Sequence, residues 1–193
     1  DEDQLIAVRE TSGTNNVVIV TKNGKCICFN EEDVRPMGRI AGGVRAIKLE
    51  KDDEVVAMEL VEPGQELLVV TENGFGKRTP VKEYKVQVRG GKGILTYDKA
   101  KFKKTGALIG AMVVDKDDEV LMINSNGVII RIRAGEVSKL GRATQGVKIM
   151  KVEEGTKIVS MAKVIKEEEE EEVKTEKKTK AATKEETDEQ LSL

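Results

Sequence analysis

Histidine and tryptophan are absent from this 193-residue chain, and aromatic residues make up only 3% of it. Without histidine the commonest general base and the commonest metal ligand are both missing. No nucleophile and base pair stands out in what remains, so the chain reads as non-catalytic. Only two cysteines occur, Cys26 and Cys28, at a spacing that puts them on one face of a strand and does not suit a local disulfide. They read as small packing residues in a reducing compartment, which points to the cytoplasm. A second Cys pair is lacking, so no metal site is expected. No apolar run approaches the ~20 residues that would cross a membrane. A signal-peptide pattern is also missing, and the chain opens at Asp1 without Met, as expected of a fragment edge.

What the chain has in quantity is charge, with 33 Lys and Arg against 35 Asp and Glu. The near balance hides two unlike parts. Residues 164–193 contain six consecutive glutamates, Glu167 to Glu172, followed by Lys-, Thr- and Glu-rich sequence. Such a stretch repels itself and buries too little apolar surface to offset chain entropy, so a disordered acidic tail is expected there. Residues 1–163 are rich in Val, Ile, Leu and Met, carry a slight basic excess, and are long enough for a sizeable core.

That body is one unit written three times. Val17-Val18-Ile19-Val20-Thr21-Lys22-Asn23-Gly24 returns as Leu67-Leu68-Val69-Val70-Thr71-Glu72-Asn73-Gly74, and again as Val120 to Gly127. A second short apolar run follows each Asn-Gly: Cys26 to Phe29, Phe75 to Val81, Val128 to Ile132. Strand, Asn-Gly, strand is a strong hairpin signal. Each unit then has a loop ending at a glycine and a third strand, within Gly43 to Leu49, Gly91 to Tyr97 and Gly146 to Val152. A fourth apolar strand recurs at Val55 to Leu60, Ala107 to Val114 and Ile158 to Val164, with Leu5 to Val8 as its opening copy. No stretch outside the tail shows a helical period. The expectation is an all-β, propeller-like body of three four-stranded blades, with repeats near residues 5–54, 55–105 and 106–163. Three blades do not obviously close a ring, so the body is expected to belong to a larger ring or to pair with a second copy.

Charge is sorted along each unit. Basic residues gather beside the third strands: Arg35, Arg39 and Arg45; Lys77, Arg78, Arg89 and Lys92; Arg131, Arg133, Arg142 and Lys148. Acids gather in the turns Glu50 to Glu54 and Asp115 to Glu119. Repetition around a ring would line the cations into one rim, an electrostatic footprint suited to wrapping duplex DNA without reading its bases. The basic density peaks around Gln87-Val88-Arg89-Gly90-Gly91-Lys92-Gly93. There Arg89 and Lys92 flank a bare Gly90-Gly91 backbone that could face phosphates. The spacing lacks the Gly-x4-Gly-Lys-Ser/Thr of a nucleotide phosphate loop.

Gln87 to Gly93 resembles the gyrase box, Gln-Arg-Arg-Gly-Gly-Lys-Gly, at six of seven positions, with Val88 in place of the second basic residue. Asn73 to Thr79, Met37 to Arg45 and Gly141 to Val147 extend the resemblance across all three units, to the DNA gyrase A C-terminal domain. The resemblance implies a six-bladed β-pinwheel with strands exchanged between blades, of which these would be the last three. The box itself belongs to the first blade of the family, so Gln87, Arg89, Gly90, Gly91, Lys92 and Gly93 would form a sister loop. It further implies wrapping of duplex DNA, assembly with the rest of gyrase A and with gyrase B as an A2B2 heterotetramer, and bacterial cytoplasm as the location. ATP and Mg2+ would serve the whole enzyme, with no cofactor in this segment. Tyr84 and Tyr97 do not follow an arginine as the family's cleavage tyrosine does. Two alternatives stay open: the equivalent C-terminal domain of topoisomerase IV, and a propeller-like scaffold for acidic protein partners.

Overall fold

The structure is a computed structural model that describes residues 3–164. The expected acidic tail lies outside the described residues apart from Val164. Eleven strands and very little helix are present: β1 (Asn16–Thr21), β2 (Lys25–Asn30), β3 (Val55–Val61), β4 (Glu66–Thr71), β5 (Phe75–Pro80), β6 (Ile94–Leu95), β7 (Leu108–Val114), β8 (Glu119–Asn124), β9 (Ile129–Arg133), β10 (Val147–Lys148) and β11 (Ile158–Lys163). A single short helix, α1, covers Phe102–Thr105.

Each hairpin closes as its sequence dictates. Gly24, Gly74 and Gly127 sit at φ of +81°, +80° and +79°, and each donates its amide back to Thr21, Thr71 or Asn124. The side chains at those last positions hold the turn a second time. The Oγ1 atoms of Thr21 and Thr71 accept from the amides of Lys25 and Phe75, and Asn124 Oδ1 accepts from Val128.

The strands make three antiparallel sheets, ordered β3-β1-β2-β6, β10-β5-β4-β7 and β11-β8-β9. The short outer strands have moved between units. β6 of the second unit pairs with β2 of the first, Ile94 opposite Cys26. β10 of the third pairs with β5 of the second, Val147 opposite Gly76. Close backbone approach makes this exchange depend on glycine: a Cβ at Gly93 would lie 2.5 Å from Cys26 O, and one at Gly146 2.6 Å from Gly76 O.

Four expectations need correction. The third sheet has three strands among the described residues, because nothing supplies its outer one. Gly43 to Leu49 forms no strand, since its partner would be a sheet preceding β1. Leu5 to Val8 is also without ladder pairing and largely exposed; its segment is tied to β3 by Arg9 and Glu59 at 3.0 Å. Finally, Val55–Val61, grouped with the second repeat, is the inner strand of the first sheet.

The core lies between sheets. One cluster joins Val18, Val20, Cys26 and Cys28 of the first sheet to Leu67, Val69 and Val113 of the second. Another joins Leu68, Val70 and Met112 to Val120, Met122 and Ile158 of the third. Alternation along β4 thus feeds both neighbours, which is why Leu67 to Val70 are all buried. Burial drives both thiols upward in pKa, so they behave as packing groups.

Candidate nucleic-acid interface

The basic residues are placed by the loops that follow β2, β5 and β9. Each begins with a 3-10 turn (Glu31–Asp33, Val81–Glu83, Ala134–Glu136) and then crosses toward the preceding sheet where there is one. Gln87 donates its amide to Cys28 O at 2.7 Å, and Leu140 repeats this on Arg78 O at 2.9 Å. A loop arginine then fastens each crossing to the loop before it. Arg89 donates from Nη1 to Arg45 O at 2.7 Å and from Nε to Asp33 O at 3.2 Å. Arg142 donates from Nη1 to Leu95 O at 3.1 Å. The backbone adds a second repeated contact, Lys48 N to Gly91 O at 2.8 Å and Asp98 N to Thr144 O at 3.4 Å. The three loops are therefore joined edge to edge, and their cations share one continuous border.

The residues expected to meet phosphate separate into two groups. Arg35, Arg39, Arg45, Lys92, Arg131, Arg133 and Lys148 are exposed. Of these, Arg35, Arg39, Arg45 and Lys92 make no ion pair among the described residues, so their full charge faces outward. Gln87, Arg89, Gly90, Gly91, Gly93 and Arg142 are half-buried in the crossings. Arg89 and Arg142 spend part of their donor set on the neighbouring loop.

Lys77 and Arg78 are the correction. Both were expected at the phosphate rim, yet Lys77 is 0% and Arg78 8% exposed. They lie within β5, and the loop of the third unit covers them. The Lys77 ammonium donates to the carbonyls of Gly141 and Arg142 and to Thr144 Oγ1. Burial pushes its pKa down to about 7, with Glu83 partly opposing the shift. Arg78 pairs with Glu66 and donates to Val137 O at 2.8 Å and Gly135 O at 3.0 Å. These two cations hold the third loop in place rather than meeting solvent. A pair that sequence reasoning missed is the juxtaposition of Lys104 and Lys148, 5.4 and 5.3 Å from the Phe75 ring centroid. The lysine run before Thr105 was its only trace in the sequence.

Comparison with known proteins completes the picture. The family described as DNA gyrase C-terminal domain, beta-propeller, matches residues 15–62, 65–115 and 118–165. The chain belongs to the DNA gyrase C-terminal domain family. DNA gyrase A of Staphylococcus epidermidis is 41% identical over 171 residues, 88% of this chain and 19% of that protein. DNA gyrase A of Mycolicibacterium smegmatis is also 41% identical over 171 residues, with 86% and 20% covered. The chain thus spans about a fifth of these curated relatives. Among solved structures, a DNA gyrase A C-terminal domain superposes with TM-score 0.74 at 33% identity, covering 79% of this chain and 51% of that one. The C-terminal domain of a DNA topoisomerase IV superposes with TM-score 0.83 at 24% identity, over 93% and 55%. The second likeness is one of fold. The match boundaries of the gyrase family begin each unit at β1, β4 and β8, as the sheets do.

Proposed function

We propose that this member of the gyrase family is the DNA-wrapping part of gyrase A, within the type IIA topoisomerase that uses ATP to introduce negative supercoils. The observation that carries the proposal is the border of joined loops bearing Arg35, Arg39, Arg45, Lys92 and Lys148, one set of exposed cations per unit. Their repetition supplies charge along a curved path, which suits a phosphate backbone and not a base sequence. The segment contributes binding and leaves chemistry to the rest of gyrase A and to gyrase B in an A2B2 assembly, in the bacterial cytoplasm. ATP and Mg2+ serve those other parts. The gyrase reading stands ahead of topoisomerase IV on the identity of about two residues in five to gyrase A proteins.

The test is titration of random-sequence duplex DNA over a range of salt. Each phosphate neutralised should contribute about −0.9 to the slope of log affinity against log salt. Nicked circles sealed with the protein bound should also change linking number in proportion to protein added. Salt-independent affinity, or binding without a change in linking number, would remove the wrapping reading.

A further inference from the structure

Within this chain the same interface is built twice and left half-built twice. β2 and β5 each receive a crossing loop and a short outer strand from the following unit. β9, the third strand of this kind, has no strand along its outer edge among the described residues, and Val128 and Ile129 there are 51% and 57% exposed. The complementary defect is at the other end. Residues 36–45 carry the crossing pattern, but no sheet precedes them; Met37 and Ile40 are exposed, Ile40 completely. Gly43 adds an independent sign. It adopts φ +76° like its counterparts Gly93 and Gly146, yet nothing lies within 4 Å of where its Cβ would be. At the two counterparts that space holds the carbonyl of an acceptor strand.

The faces match as the edges do. β4 buries both faces between neighbours, whereas β8 buries only Val120, Met122 and Asn124, leaving Leu121 and Ile123 half-exposed. At the other end, Val17, Ile19 and Phe29 form an apolar face covered only by the chain's own loop through Ile47. A donor without an acceptor and an acceptor without a donor, on one molecule, are what a head-to-tail contact requires.

We propose that a second copy of this chain fills the vacancy: residues 36–45 of one copy cross onto β9 of the other, and reciprocally, giving a ring of six sheets. The two internal interfaces fix the register. Val44 pairs with Ile129 of the other copy, as Ile94 pairs with Cys26 and Val147 with Gly76. Met37 N donates to Arg131 O, and Lys151 N donates to Ala41 O. The Arg39 guanidinium caps Lys148 O, as Arg89 caps Arg45 O and Arg142 caps Leu95 O. Gly43 then meets the carbonyl of Ile129. The solved gyrase A C-terminal domain, of which this chain matches 51%, has room for as much again. The assembly does not depend on the DNA-wrapping reading, since no part of it requires DNA.

The experiment uses the full 193-residue chain without DNA. Sedimentation over a wide concentration range should give a monomer–dimer equilibrium, and Ile129→Lys, a charge placed on a sheet edge, should leave monomer with an unchanged circular dichroism spectrum. Single variants Val44→Cys and Ile129→Cys, oxidised as a mixture, should yield covalent dimer that neither yields alone. The buried Cys26 and Cys28 thiols do not compete. A monomer at every concentration, a dimer that Ile129→Lys leaves intact, cross-linking in either variant alone, or open-ended oligomers would each overturn the proposal.

Discussion

β5 and β9 occupy the same place in successive units and meet opposite fates. Each carries an arginine paired to a glutamate on the strand beside it, Arg78 with Glu66 and Arg131 with Glu119. In β5 the following unit lies across the pair, leaving its side chains 9% and 12% exposed; in β9 nothing does, and the figures are 57% and 24%. The ion pair is the same, but its surroundings are not. A cation's role here is set by whether another unit comes after it, not by the residues on either side.

The largest effect is expected at the covered pair. Arg78→Ala strands Glu66 in a nearly dry site and should cost about 3–5 kcal/mol by urea unfolding, the usual penalty for breaking a buried pair. Loss of two bonds to the third unit's loop adds to it, although Lys139 at 2.7 Å from Glu66 gives some relief. A cost below that of an ordinary surface pair would break the comparison.

Next come the glycines of the crossings. Gly93→Ala and Gly43→Ala share a left-handed strain of about 1–2 kcal/mol. Only Gly93 would also drive its Cβ into Cys26 O, so it should lose more stability and disorder β6. Equal losses in the monomer would mean that the close approach carries no energy.

Lys77 sharpens the contrast through pH. Its folded pKa of about 7 lies below the ~10.4 of an unfolded lysine. Between those values the unfolded chain binds the extra proton, so stability rises with pH through that window and is level outside it. Lys77→Met should flatten the slope between pH 7 and 10, while costing about 1–3 kcal/mol for carbonyls left without a donor. Urea midpoints over that pH range decide it. Lys92→Ala, on the outward side, should leave stability unchanged and reduce the salt slope of DNA binding by about one. The smallest effect belongs to Arg131→Ala, about 1 kcal/mol or less, as for exposed pairs generally.

Much of this was legible in the residues. Asn23-Gly24, Asn73-Gly74 and Asn126-Gly127 marked all three hairpins, because few sequences other than Asn-Gly supply the positive φ that closes such a turn. Apolar alternation marked the strands around them. The exchange of β6 and β10 was not readable from spacing, since a two-residue strand pairs equally well with either neighbour. Leu5 to Val8 looked like a strand for lack of any local signal that its partner edge was taken. Lys77 and Arg78 looked like rim residues because charge shows in a sequence and cover does not. What covers them, Gly141 to Thr144, lies some sixty residues further along.

Exchange of the outer strands also sets a timetable for synthesis. Lys25 waits for Leu95, about 70 residues later, before the first sheet gains its last strand. At the usual ~5–20 residues per second the nascent edge stays open on the ribosome for several seconds. β5 waits similarly for Val147 and Lys148. A growing chain therefore always trails one unfinished sheet, and on a crowded messenger the nearest crossing loop can belong to a neighbouring ribosome's product.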